Sequence, residues 1–205
     1  AITLDGGSSL ANHTGSWRTS RPLYVDRLPP CNNACPSGEN IQGWLFHAEG
    51  GDYEAAWRVL VQDNPLPATM GRVCYHPCES SCNRGQFDAA VGINSVERFL
   101  GDEAIRRGWQ FEPPKAASGK KVLVVGAGPS GLSAAYHLTR LGHQVTIQDA
   151  GPMAGGMMRF GIPKYRLPRE VLEAEVQRIV NLGVTLKLDA KGLTACPGLV
   201  DVSAR

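Results

Sequence analysis

Along residues 37–111 apolar positions recur at helical spacing; beyond residue 120 they come in short unbroken runs separated by glycine-rich turns. Ile41, Trp44, Leu45 and Ala48 share one face of a predicted helix. Asp52 stands where it can cap a second helix bearing Ala56, Trp57 and Leu60, and Asn64-Pro65 closes it, because a residue before proline is steered away from helical backbone. Ile93, Val96 and Leu100 predict a third helix, with Gly101-Asp102 as a break before Ala104 and Ile105. Residues 1–30, rich in Ser, Thr, Gly and Arg, hold no period and read as an extended arm.

Residues 112–119 combine two prolines with small residues and no periodicity, so they form a linker and a domain boundary. After it come a strand, KVLVV (121–125), a turn, GAGPSG (126–131), a helix at 132–142 and a strand, HQVTIQD (143–149), together a βαβ unit. A further helix runs from Pro168 to about Leu182, with Leu172, Val176 and Ile179 on one face, and 184–188 is a short strand. The predicted class is α plus α/β: a helical domain at 31–111, then a partial Rossmann-like domain at 120–205.

Charge narrows the function. Twenty-one Lys and Arg against 19 Asp and Glu leave +2, too balanced for a nucleic-acid or membrane-surface binder that works by bulk charge. Apolar runs such as 122–125 fall far short of the roughly 18 residues of a membrane span, and the first residues lack the pattern of a signal peptide. The expected setting is a reducing cytoplasm, with no nucleic-acid or membrane partner.

Six cysteines fall as Cys31, Cys35, Cys74, Cys78 and Cys82, then a distant Cys196. The first five form C-x3-C-P and C-x3-C-x3-C, and five clustered thiols in a reducing compartment read as metal ligands rather than disulfides. Thiolates hold iron-sulfur clusters, and the Cys35-Pro36 step suits a loop wrapped around one. Structural zinc, which usually takes tighter C-x2-C knuckles, and unligated buried thiols are the alternatives. Cys196 reads as a free thiol in a core or on the surface.

Gly126, Ala127, Gly128, Pro129, Ser130 and Gly131 stand between a strand and a helix, with Asp149 ending the next strand 18 residues beyond Gly131. Gly126 permits the tight turn, Gly128 lets backbone amides approach a pyrophosphate, and Gly131 allows the helix to pack on the strand. Asp149 is the acceptor for ribose hydroxyls. The order of these parts predicts a dinucleotide site, where an isolated glycine motif would not.

CNNACP (31–36), DNPLPATMGRVCYHPCESSCNRG, VGINSVERF and the stretch from GKKVLVVGAGPSG to RLPREV resemble the small (β) subunit of NAD(P)H-dependent glutamate synthase, and the N-terminal part of dihydropyrimidine dehydrogenase is similar. The resemblance covers about residues 24–189. It implies an electron-transfer flavoprotein oxidoreductase: hydride from NAD(P)H to FAD, then single electrons through 4Fe-4S to a larger catalytic subunit. On that pattern Gly126 to Ser130 receive the FAD pyrophosphate and Asp149 the ribose, while Gly156, Met157 and Arg166 lie toward the flavin. Arg159 or Arg166 would face a phosphate or else lie solvated on a surface turn, and Met157 and Met158 divide between flavin contact and core.

The same resemblance assigns Cys35, Cys74 and Cys78 to one cluster, with a fourth ligand near Glu97, and Cys31 and Cys82 to another. Glu97 has a second reading as a solvated carboxylate on a helix face. Where two-cluster relatives carry a further C-x2-C pair, this chain has LYVDRLPP (23–30), so one cluster is expected, with its fourth ligand among Cys31, Cys82 and Glu97. The chain ends 56 residues after Asp149 without a second glycine motif. A partner or a missing C-terminal part is therefore expected to supply the NAD(P)H domain. The rival reading is a structural zinc or iron-sulfur interaction module beside a non-catalytic half Rossmann domain.

Overall fold

The structure, a computed structural model, describes residues 29–114 and 116–191. The expected arm up to residue 28, Cys196 and the tail from 192 lie outside the described residues.

The helical part opens with α1 (Pro30–Ala34), where a proline in the first turn needs no N–H partner. In α2 (Ile41–Glu49) the cap is Asn40, whose Oδ1 accepts the Gly43 N–H at 3.1 Å. Asp52 caps α3 (Tyr53–Leu60) through the Ala55 N–H at 3.1 Å, and Ala56, Trp57 and Leu60 are buried, as their spacing predicts. That helix ends at Leu60, ahead of the Asn64-Pro65 step. Short elements follow: α4 (Pro67–Val73), α5 (Pro77–Ser80) and a 3-10 turn at Asn83–Gln86.

In α6 (Ile93–Arg107) the helix runs unbroken through Gly101, where the sequence predicts a break. The reason is tertiary. A Cβ on Gly101 would lie 2.3 Å from the Ala68 nitrogen, and one on Gly71 would lie 2.5 Å from the Arg98 Cα. Glycine at these positions lets α4 and α6 cross in near backbone contact; it does not terminate the helix.

The second part holds β1 (Lys121–Val125), α7 (Pro129–Arg140), β2 (Gln144–Gln148), α8 (Met157–Phe160), α9 (Arg169–Asn181) and β3 (Thr185–Lys187). The three strands form a parallel sheet in the order β1-β2-β3, with Lys121 opposite Gln144 and Thr146 opposite Thr185. This is a helical domain followed by a small parallel Rossmann-like sheet.

One core, of Ile41, Trp44, Ala56, Leu60, Cys78, Ile93 and Leu100, belongs to the helical part. A second joins Trp57, Val61, Leu66, Ala104 and Phe111 to Leu132, Tyr136, Val145, Ile147, Leu172 and Ile179. The two parts therefore pack as one body across the linker. Phe111 stacks on Trp57 with centroids 5.6 Å apart and tilts against Tyr136 at 4.6 Å. Among the described residues no helix is long and apolar enough to cross a membrane.

Candidate functional site

The five thiols sit at helix ends and in the turns between them. Cys31 lies in α1 and Cys35 caps it; Cys74 caps α4, Cys78 lies in α5, and Cys82 leads into the 3-10 turn. All five are free. Cys31 and Cys35 both pack against the core that holds Cys78, and the charges of Cys35 and Cys74 reach Cys78 as that of Cys82 reaches Cys31.

Burial pushes the Cys78 thiol up to about 12 and raises those of Cys31 and Cys35, while the backbone N–H of Val91 lowers that of Cys82. Thiols this reluctant to ionise become thiolates when a metal centre supplies compensating charge. His76, a non-glycine residue at φ 42, turns the loop between Cys74 and Cys78, and its backbone N–H donates to Cys74 Sγ at 3.2 Å. Among the described residues no three His, Cys, Asp or Glu side chains surround a single ion position.

Glu97 is buried on α6 at 6% exposure, which overturns its reading as a solvated helix-face carboxylate. Asn64 Nδ2 donates to Glu97 Oε1 at 2.8 Å and to Glu39 Oε1 at 3.1 Å, and its Oδ1 accepts the Leu66 N–H at 3.0 Å. Burial lifts Glu97 to about 9 and Glu39 to about 7, and the charge of either raises the Cys35 thiol. Sequence reasoning took Asn64 only as a helix terminator and passed over Glu39. These residues are separated along the chain by 25 and 33 positions, and no local pattern joins them.

At the glycine motif, Gly126 adopts φ +99 to leave β1, and a Cβ on Gly131 would lie 1.9 Å from the Gly126 carbonyl oxygen, so α7 reaches β1 only without a side chain there. Gly128 differs. Its φ of −77 suits any residue, and a Cβ on it would meet nothing within 4 Å. Neither strain nor protein packing demands glycine at 128, and the backbone there lies open at the N-terminus of α7, a setting that suits a pyrophosphate. Pro129 and Ser130 open α7 over the buried Ala127.

Asp149 Oδ2 accepts the Ala127 N–H at 2.6 Å and Oδ1 accepts the Gly151 N–H at 2.7 Å. Each oxygen keeps a second lone pair with which a ribose hydroxyl can bond. The Gly155-Gly156 turn packs against this loop. Gly155 donates to the Ala127 carbonyl at 2.8 Å, and a Cβ on Gly156 would lie 2.8 Å from the Gly128 Cα.

Met157 is 72% exposed and Met158 is buried, so only Met157 remains open to a ligand. Arg159 is not solvated, and its partners are the protein's own: it is buried, with Nε on the Ala154 carbonyl at 2.6 Å and Nη1 on the Glu173 carboxylate at 2.9 Å. Arg166 is exposed, and its Nε donates to the Arg72 carbonyl of α4 at 3.3 Å.

Residues 13–109 match the family described as dihydropyrimidine dehydrogenase domain II, 4Fe-4S cluster, and residues 124–178 match the NAD(P)-binding Rossmann-like domain. The NADP(+)-dependent formate dehydrogenase subunit beta of Moorella thermoacetica is 39% identical over 208 residues, covering 91% of this chain and 29% of the relative. The NAD-dependent dihydropyrimidine dehydrogenase subunit PreT of Salmonella typhimurium is 36% identical, covering 79% of this chain and 40% of the relative. Glutamate synthase [NADH] of Schizosaccharomyces pombe is 36% identical over 73% of this chain and 7% of its own length. The chain thus spans less than half the length of each of these relatives. The helical part thus matches a 4Fe-4S domain and the sheet part an NAD(P)-binding one, and the chain is a homologue of these oxidoreductase subunits, glutamate synthase and dihydropyrimidine dehydrogenase chains among them.

Proposed function

We propose that the chain is the electron-transfer part of an NAD(P)H-dependent iron-sulfur flavoprotein oxidoreductase that serves a larger catalytic partner. The observation that carries this reading is that the thiol group and the glycine loop belong to one packed body, with Arg166 of the sheet part bonded to α4 two residues before Cys74. Relatives named as NAD- and NADP-dependent subunits support NAD(P)H as the donor to the whole protein. FAD held at the glycine loop would supply hydride acceptance, and a 4Fe-4S cluster held by the thiols would supply one-electron transfer.

The chain's own residues hold and tune these groups. Cys35, Cys74 and Cys78 supply three ligands of one cluster, whose fourth comes from Cys31, Cys82 or Glu97. The His76 N–H on Cys74 Sγ favours added negative charge at the centre. Residues Gly126 to Ser130 receive the FAD pyrophosphate, Asp149 the ribose, and Gly156, Met157 and Arg166 border the flavin side. Free thiols suit a reducing, cytoplasmic compartment.

The test is anaerobic iron, acid-labile sulfide, zinc and FAD content, with absorption before and after dithionite. About four irons and four sulfides per chain, a visible band that bleaches, and bound FAD support the reading. Zinc without sulfide overturns it in favour of a structural module. Serine at Cys35, Cys74 or Cys78 is expected to abolish cluster uptake, and comparing Glu97→Ala with Cys31→Ser and Cys82→Ser identifies the fourth ligand.

A further inference from the structure

We propose that Glu175 is a positioning residue for the cluster: from the dinucleotide part it fixes helix α4, at whose far end Cys74 stands. The proposal rests on the iron-sulfur reading above.

Glu175 lies on α9 and is fully buried. Its Oε1 accepts the Ala68 N–H at 2.7 Å and its Oε2 the Thr69 N–H at 2.8 Å, across 107 and 106 residues of chain. These are first-turn amides of α4, which have no partner within their own helix. The residue before that helix, Leu66, offers no side-chain cap, and Ala68 and Thr69 are fully buried, away from water. A carboxylate from the other part of the molecule thus does for α4 what Asn40 and Asp52 do locally for α2 and α3.

Helix α4 has no slack in which to absorb a displacement. It spans seven residues and is pressed against α6 through Gly71 and Gly101. Arg72 is tied to Asp102 at 2.8 Å, and the Cys74 N–H donates to the Met70 carbonyl at 2.9 Å. Arg166 holds the Arg72 carbonyl at the cysteine end, so the sheet part grips α4 at both ends. Arg178, one turn beyond Glu175, lies over Trp57 at 5.3 Å and Phe111 at 5.7 Å and fixes the rotation of α9. A shift of α9 is therefore passed along α4 to a cluster ligand.

The experiment compares the chain with Glu175→Ala, Glu175→Gln and Ile179→Ala. Ile179 is fully buried on the same helix, so its truncation loses packing without freeing an α4 amide. Two signatures are read: the electron paramagnetic resonance spectrum and midpoint potential of the cluster, and the rate at which Cys74 of the cluster-free chain is alkylated, resolved by peptide mass spectrometry. Glu175→Ala is expected to alter the spectrum, shift the potential and speed alkylation of Cys74 about tenfold. Glu175→Gln, which keeps one acceptor, moves both signatures less, and Ile179→Ala, which loosens α9 but leaves both α4 amides capped, also moves them less than Glu175→Ala does. The proposal is overturned if Glu175→Ala leaves both signatures unchanged or if Ile179→Ala reproduces them. A parent chain that takes up no iron or sulfide sinks the functional reading, and the alkylation rates then decide the role of Glu175 alone.

Discussion

Asp149 holds the backbone N–H of Ala127 at 2.6 Å, so the acid that ends β2 shapes the very loop whose ligand it is expected to contact. Asp149→Ala strips acceptors from Ala127 and Gly151 together. It is expected to cost about 1–3 kcal/mol in stability and to weaken FAD binding about tenfold or more. Urea unfolding and a fluorescence titration with FAD read the two effects separately. Unchanged affinity in a destabilised Asp149→Ala chain would remove Asp149 from the ribose site.

The two glycines that flank Ser130 and Pro129 predict opposite patterns. A methyl at 128 meets nothing, so Gly128→Ala should leave thermal unfolding within about 0.5 kcal/mol of the parent while abolishing flavin binding. A methyl at 131 meets the Gly126 carbonyl at 1.9 Å, so Gly131→Ala should lose stability, by about 1–3 kcal/mol, as well as binding. Flavin binding by Gly128→Ala at parental strength would contradict the pyrophosphate assignment.

The βαβ unit and the helices around Trp44 and Trp57 were legible because their signals are local: unbroken apolar runs, a glycine turn, caps such as Asp52. The helix through Gly101 was not, since the same residue that stops a helix also lets two helices touch, and only the position of Ala68 decides between them. Glu97 stands among Val96, Arg98 and Phe99 with nothing nearby to mark it as buried; Asn64 and Glu39 make it so from distant parts of the chain. For Arg159 the family resemblance left a phosphate contact and a solvated turn open; Glu173, 14 residues on in α9, claims it instead.

Tyr136 binds the two parts of the molecule, its hydroxyl donating to the Val61 carbonyl at 2.6 Å within the shared core. Tyr136→Phe leaves that buried carbonyl unpaired and is expected to cost about 1–2 kcal/mol. Arg140, exposed along part of its length and bonded to the neighbouring Gln62 carbonyl at 2.7 Å, is expected to contribute less on truncation. Chemical denaturation followed at the tryptophans and by far-ultraviolet dichroism should give coincident transitions in the parent. Equal stability of parent and Tyr136→Phe would show that this bond does not hold the parts together.

Glu175 also makes stability depend on pH in a calculable direction. Burial raises its carboxyl from the ordinary 4.5 to about 7, although the Thr69 side chain, the Ala68 and Thr69 amides of α4 and the charge of Arg178 on its own helix act the other way. From α6, Glu97 faces it as a second acid, and each resists ionisation of the other. The folded chain therefore keeps a proton on Glu175 that the unfolded chain releases near 4.5. Over that window the unfolded state binds fewer protons, so stability falls as pH rises from about 4.5 to about 7 and levels off above. The loss attributable to this residue is about 3 kcal/mol. Glu175→Gln has no proton to release; the slope due to Glu39 is common to both proteins, and Glu97, raised first by burial and by Glu39, keeps its proton through this window in both. The stability difference between parent and Glu175→Gln, measured by urea unfolding of the cluster-free chain, should thus shrink steadily across the window, and a difference constant with pH would mean that Glu175 is ionised throughout.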